Sequence, residues 1–165
     1  MNILQWIVNL WRWFLSGEIQ PQPQPVPPAP IPPPAPVPDN TAEELIIALV
    51  NNERAKKGLA ALVKDGRITT AARNYARLMA QKNTLSHTLD GDIGSRLSGA
   101  GYEWSYAGEN IGWNYASPEE MVLGWMQSSG HRANILNSRY VHTGVGIQDD
   151  GRGPYYCQDF GTPLN

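Results

Sequence analysis

The sequence predicts an α+β domain, because two stretches have helical periodicity and two segments near the C-terminus alternate as strands do. Apolar residues recur at helical spacing over residues 42–57 and 69–82. The strand-like segments are Thr143–Gln148 and Tyr155–Phe160, and a turn-forming run from Asp149 to Gly153 separates them. Roughly the first 38 residues lack a globular composition, so the remainder has room for one domain with a single hydrophobic core.

The first two predicted helices are indicated by different sequence features, the first by residues at its ends and the second by its apolar face. Thr41 is placed to cap the helix at 42–57, two acids follow in its first turn, and Gly58 ends it. The second helix, from about Thr69 to Lys82, has a wide face of small and apolar residues. Such a face allows close packing against a neighbouring layer.

The remaining helices lie between this pair and the C-terminal hairpin. Ile93 to Ser98 is predicted to form a short helix. A longer helix opens with Ser117 as N-cap, Pro118 at the first helical position and two acids in the first turn, and it should reach about Gln127.

Residues 1–17 have the pattern of a separate amphipathic helix. One helical stripe is polar, and three tryptophans with other apolar side chains cover the rest. A helix over Ile3–Leu15 would be about 20 Å long, short of a roughly 30 Å hydrocarbon core, so it should not span a bilayer. We expect an anchor that lies in the membrane interface, with a partner-protein contact or a cleaved secretory signal as alternatives.

Residues 18–39 are predicted to be a proline-rich spacer. Between Pro21 and Pro38 lie 11 of the 14 prolines of the chain. Such a run favours polyproline II, and 18 residues at about 3.1 Å each would span roughly 55 Å. A ligand for an SH3-like or WW-like groove is the alternative. The predicted organisation is a helix at 1–17, a spacer at 18–39 and a globular domain at 40–165.

The net charge bears on which partners the protein can bind, and the cysteine content bears on whether disulfides stabilise its core. The formal net charge is −2, without a basic stripe, so we expect no nucleic-acid partner. Cys157 is the single cysteine, which leaves the core to be held by burial rather than by an intrachain disulfide. Because Cys157 lies in a predicted strand, we expect a buried, inert thiol.

Short motifs follow one another along the domain in a recognisable order. They are the helical stretch Leu49–Leu62, S-H-T at His87, G-E-N-I at Glu109, W-M-Q-S-S-G-H-R-A-N-I-L at His131, and T-G-V-G-I with Y-Y-C-Q-D-F-G near the C-terminus. Each is weak alone, but together they resemble the CAP superfamily (cysteine-rich secretory proteins, antigen 5 and pathogenesis-related proteins) in its bacterial, SCP-like form. The resemblance covers roughly residues 41–161. It implies a three-layer α-β-α sandwich, here preceded by the amphipathic helix and the proline-rich linker.

The resemblance also implies a functional cleft. Many CAP proteins carry two histidines and two acids in a cleft, sometimes with zinc or another divalent ion. His87, Glu109 and His131 match three of these positions, as catalytic or metal-binding residues. The second acid would fall at Ser128, so we expect weak zinc binding, or three side chains with a water in the fourth position.

Other polar residues near these motifs are expected to support the cleft. Asn110, Arg132 and Asn134 should be mostly buried and bonded to the backbone, and Ser128 should lie beside them.

The residues alone also allow local roles. His87 could cap a helix, His131 could bond the backbone of a turn, and Glu109 could accept from loop amides. No local spacing such as H-E-x-x-H joins them, so their convergence is implied by the resemblance only. His142 matches no site position, and we expect it at the surface or at a strand edge.

The expected function is binding outside the cytoplasm. The protein would be tethered to a membrane by residues 1–17, or secreted if they are cleaved. The resemblance implies a lipid, a small apolar ligand or a protein partner in the cleft. One alternative is a divalent-metal-assisted, protease-like hydrolase that uses His87, Glu109 and His131. Another is an adhesion module whose cleft is a relic.

Overall fold

The computed structural model describes residues 41–164, in which five helices and four strands form three layers. The elements are α1 (Thr41–Ala55), β1 (Val63–Lys64), α2 (Gly66–Lys82), α3 (Ile93–Gly99), β2 (Trp104–Trp113), α4 (Pro118–Gln127), α5 (Ser129–Ile135), β3 (His142–Gln148) and β4 (Tyr155–Pro163). The α-β-α sandwich is thereby confirmed. The predicted helix at 1–17 and the spacer at 18–39 lie outside the described residues.

The sheet has the strand order β1-β3-β4-β2. The β1–β3 pair is parallel, whereas β4 pairs antiparallel with both β3 and β2. The predicted C-terminal hairpin is therefore the centre of the sheet. Helices cover both faces of β4, and its residues from Tyr155 to Gly161 are buried.

Local signals fix the helix ends largely as predicted. After α1, Gly58 adopts a φ of +69°, which glycine accommodates without strain. Ser117 caps α4 by accepting from the Glu120 amide, with Pro118 at the first position. The second helix begins at Gly66 rather than at Thr69, because Asp65 accepts from two amides of the first turn and caps it.

The two faces of the sheet pack against different helices. Helices α1 and α4 bury one face, with Ile46, Val50, Val122 and Trp125 packed on the sheet residues Val145, Tyr156 and Phe160. Helix α2 covers the other face, where Ala72, Tyr75, Ala76 and Met79 pack on Ile111, Tyr155 and Cys157. The small residues of α2 allow the close approach predicted from the sequence.

Strand β2 and helix α5 were not predicted, and together they shape the site. Within residues 41–164, β2 pairs only with β4, so β2 is an edge strand and no other strand bonds its outer edge. Side chains bond three alternate carbonyls of that edge, Tyr140 to Ala107, Asn134 to Glu109, and Trp125 to Ile111. These bonds occupy the edge and attach it to α4, to α5 and to the loop that follows α5.

Candidate functional site

His87 and Glu109, which lie 22 residues apart in sequence, form a hydrogen-bonded pair. His87 is in the loop after α2, and its Nδ1 lies 2.7 Å from Oε1 of Glu109 on β2. The histidine side chain is 54% exposed, whereas the glutamate side chain is 4% exposed. A carboxylate has no proton to donate, so Nδ1–H of His87 is the donor and Nε2 is left for a ligand.

His131 lies on α5, half-buried, and it is attached to β2 through its backbone. Its carbonyl accepts from Nδ2 of Asn110 at 3.1 Å. Burial lowers the pKa of His131, and the charge of His87 lowers that pKa further. The shift favours the neutral ring of His131 at neutral pH, which is the form that binds metals.

The side chains of Asn110 and Asn134 connect β2 to α5 beside Glu109 and His131. Asn110 is fully buried. Nδ2 of Asn134 donates to the Glu109 carbonyl at 3.0 Å and to Oδ1 of Asn110 at 2.9 Å. Each amide side chain thus bonds a backbone carbonyl of the other element, Asn110 that of His131 on α5 and Asn134 that of Glu109 on β2.

Two other expected supports lie differently. Arg132 is exposed rather than buried, because it occupies the outer side of α5, where Nη1 donates to the Met126 carbonyl at 3.1 Å. Ser128 lies half-buried between α4 and α5, and as N-cap of α5 it makes no side-chain capping bond. Its hydroxyl brings no negative charge to the cleft.

Arg96 of α3 completes the environment of Glu109, and the sequence analysis did not identify it. Its Nη2 lies 2.5 Å from Oε2 of Glu109, and both side chains are nearly inaccessible. The Glu109 carboxylate is therefore held by His87 through one oxygen and by Arg96 through the other. We conclude that it is a fixed group rather than a mobile ligand.

Behind Glu109 lies a buried acid cluster that was also missed. Asp159 is directly opposite Glu109 in the β2–β4 register. Sγ of Cys157 lies 3.5 Å from Oε2 of Glu109 and 3.4 Å from Oδ1 of Asp159, so its single S–H can donate to either carboxyl group. Burial raises the pKa of Asp159 well above its usual value, and the neighbouring Glu109 raises it further. Burial raises the pKa of Cys157 as well. Both shifts favour the uncharged forms of the two groups, a carboxylic acid and a thiol.

This cluster does not fit a metal ion, although its three donor atoms lie within 4.8 Å of one another. The Arg96 guanidinium already supplies a positive charge to Glu109. Cys157 and Asp159 would each have to lose a proton in a fully buried place. The Cys157 thiol is buried as expected. A sequence signal for Asp159 existed, since an acid within an aromatic-rich strand is unusual.

His87 and His131 are the other candidate metal ligands. Nε2 of His87 is available, and within residues 41–164 the His131 ring makes no hydrogen bond. A carboxylate that holds the far nitrogen of a metal-binding histidine is a common arrangement. The bond from Nδ1 of His87 to Glu109 has this form.

An α-β-α sandwich with two histidines and a glutamate beside one edge of its sheet defines an SCP-like domain. The model of the Cysteine-rich secretory protein family (CAP) matches residues 47–160, and the chain belongs to this family.

Two Bacillus subtilis proteins are similar to this chain. Over 122 residues the chain is 38% identical to the uncharacterized membrane protein YlbC of Bacillus subtilis, a match that covers 73% of this chain and 34% of YlbC. It is also 38% identical over 111 residues to the uncharacterized protein YkwD of the same organism, covering 66% of this chain and 43% of YkwD. The chain thus spans less than half the length of either relative.

A solved structure supports the fold independently. An extracellular SCP-domain protein of Bacillus anthracis superposes with a TM-score of 0.70 at 29% identity, covering 81% of this chain and 44% of that one. Among residues 41–164, no helix combines the length and the apolar character that crossing a bilayer requires.

Proposed function

We propose that this CAP domain is a binding module outside the cytoplasm, whose His87 and His131 bind a divalent metal ion such as Zn²⁺. The observation that carries the proposal is the 2.7 Å bond between Nδ1 of His87 and Glu109, which leaves Nε2 free to bind a ligand. The lowered pKa of His131 supplies a second neutral imidazole. Two imidazoles without a second acid at Ser128 should bind zinc weakly, with water completing the coordination.

Hydrolysis with Glu109 as general base is less well supported. Its side chain is 4% exposed, and its two oxygens bond His87 and Arg96. A general base must reach the proton that it removes. If the cleft has hydrolytic activity, we therefore assign the base to His87, with Glu109 orienting it.

Zinc titration of the full chain tests the metal proposal. We expect His87→Ala and His131→Ala each to weaken binding by at least tenfold in calorimetry, because each removes one imidazole ligand. His142→Ala is the matched control, since this third histidine lies on β3, where Nδ1 bonds the Tyr102 hydroxyl. Ser128→Glu should tighten binding by more than tenfold, or about 1.4 kcal/mol. Equal affinities in wild type and both alanine variants would refute the proposal.

A second candidate function is the binding of a fatty acyl chain in a groove between α1 and α4. The open groove has a volume of about 550 Å³ and is lined by the apolar side chains Leu49, Val122, Leu123 and Met126. Its charged lining residues are Glu53, Lys56 and Glu119. This volume lies in the range of small-ligand sites. The expected lipid ligand would then use this groove instead of the His/Glu cleft.

Displacement of a fluorescent fatty acid tests this groove. We expect Leu123→Glu to reduce binding by at least tenfold, because it places a charge where the apolar chain would lie. Leu123 is 57% exposed, so the fold should tolerate the change. Leu85→Glu is a suitable control, since Leu85 is also exposed but does not line the groove. Unchanged binding in Leu123→Glu would exclude the groove.

We further propose that residues 1–17 hold the domain at a membrane surface and that residues 18–39 extend it from that surface. Support comes from the tryptophan-rich amphipathic pattern and from the name of YlbC as a membrane protein. The full chain should co-sediment with liposomes, whereas 39–165 should stay in solution. Trp6→Asp combined with Trp13→Asp should release the full chain, since burial of aromatic surface drives attachment. Equal sedimentation of both proteins would contradict the anchor.

A further inference from the structure

Arg96 connects the two halves of the histidine–glutamate pair. Its Nη2 bonds Oε2 of Glu109 on β2. Its Nη1 donates to the His87 carbonyl at 3.2 Å and to the Gly91 carbonyl at 3.1 Å, and it lies 3.3 Å from Oδ1 of Asp90. One guanidinium therefore holds the side chain of Glu109 and the backbone of the loop that carries His87.

The position of Arg96 is itself fixed by Tyr75 of α2. The guanidinium carbon lies 3.6 Å from the centre of the Tyr75 ring. The Tyr75 hydroxyl donates to the Ser86 carbonyl at 2.6 Å and accepts from the Leu89 amide at 3.2 Å. Tyr75 and Arg96 thus bind the same loop on both sides of His87. The loop has no regular secondary structure between α2 and α3, so these bonds determine its path.

The chemistry of arginine suits this role better than that of lysine. Its planar group offers several donors in a fixed fork, so it can bond Glu109 and two carbonyls at once and also stack on an aromatic ring. A lysine ammonium is a compact charge on a flexible stem, and it would keep the ion pair with Glu109 while losing most of the loop contacts. The contacts of Arg96 therefore require the shape and the several donors of a guanidinium group, and a positive charge alone would not make them.

We propose that Arg96 is a positioning residue of the cleft, which fixes the rotamer of Glu109 and the His87 loop and thereby directs Nε2 of His87 toward the ligand. This inference rests on the proposed metal binding for its functional consequence. The positioning of His87 by Arg96 can be tested without a metal ion, because it determines which ring nitrogen of His87 carries the proton. While Glu109 holds Nδ1–H, the neutral ring is confined to the tautomer with a free Nε2.

The test compares Arg96→Lys and Arg96→Met with the wild-type full chain by long-range ¹H–¹⁵N NMR of the histidine rings. In the wild type, neutral His87 should be in the Nδ1–H form. Both variants should give a mixture of tautomers, with a smaller change for lysine, while the His142 signals stay in place. Zinc affinity should fall at least tenfold in Arg96→Met and less in Arg96→Lys.

The outcomes separate this inference from the metal proposal. If a folded Arg96→Lys or Arg96→Met chain keeps His87 wholly in the Nδ1–H form, Arg96 does not position it and the inference fails. If the wild type binds no zinc, the proposed function fails, and the tautomer comparison still decides the role of Arg96. If Arg96→Met does not fold, the lysine variant alone decides it.

Discussion

Replacing Asp159 with asparagine is expected to make the stability of the domain far less dependent on pH. Burial and Glu109 raise the pKa of Asp159 in the folded state well above its ordinary value of 3.8. The folded protein therefore keeps a proton that the unfolded chain releases. The resulting stability is fully present below pH 3.8 and is lost as the pH rises toward the raised folded pKa. The loss is about 1.4 kcal/mol per pH unit.

Asparagine has nearly the shape of the neutral acid and cannot ionise. The free energy of unfolding of Asp159→Asn, relative to that of the wild type, should therefore increase as the pH rises above 3.8, where the unfolded wild-type chain releases its proton. Urea unfolding followed by circular dichroism at several pH values measures this difference. Asp149→Asn is the control, because Asp149 lies in the exposed hairpin turn. A constant difference between wild type and Asp159→Asn would mean that Asp159 is ionised in the folded protein.

Gly144→Ala is expected to destabilise the domain by about 3 kcal/mol, at the upper end of the usual cost of overpacking. A Cβ at position 144 would lie 2.2 Å from the Thr69 amide nitrogen and 2.5 Å from the Ile68 carbonyl carbon. Both are backbone atoms of α2, so no side-chain rotation can relieve the clash. The helix would have to move away from β3, which would open the core beneath it.

The matched control for this prediction is Gly66→Ala. Gly66 begins α2, and an added Cβ there has no neighbour within 4 Å. Alanine should leave the melting temperature unchanged or raise it slightly, because it restricts the unfolded chain. Thermal unfolding of the two variants side by side separates a general effect of alanine from close packing. A Gly144→Ala domain as stable as the Gly66→Ala domain would show that α2 does not approach the sheet so closely.

The sequence predicted the elements whose signals are local. Capping at Ser117, the periodicity of α1 and α2, and the alternating segments around the turn at Asp149 each lie within a few residues. Strand β2 was missed because its pairing partner β4 is about 50 residues further along the chain. Its glycines and polar residues also give no apolar alternation. Helix α5 is short and begins without a side-chain cap.

The candidate site was predictable only through the family resemblance. His87 bonds Glu109, and the His131 carbonyl bonds the neighbouring Asn110, because a loop, a strand and a helix converge. No sequence spacing encodes that convergence. The partners of Glu109 were missed for the same reason. Arg96 lies on another helix, and Asp159 faces Glu109 only in the register of β2 with β4.

The central claim is that His87 and His131 bind a metal ion while Glu109 supports His87 from behind. Anomalous diffraction at the zinc edge, from crystals of the full chain grown with Zn²⁺, tests it directly. We predict one peak about 2.0–2.1 Å from Nε2 of His87 and from a ring nitrogen of His131, with Nδ1 of His87 still bonded to Glu109. A peak bound to Glu109, Cys157 and Asp159, or no peak at either histidine, would contradict the claim.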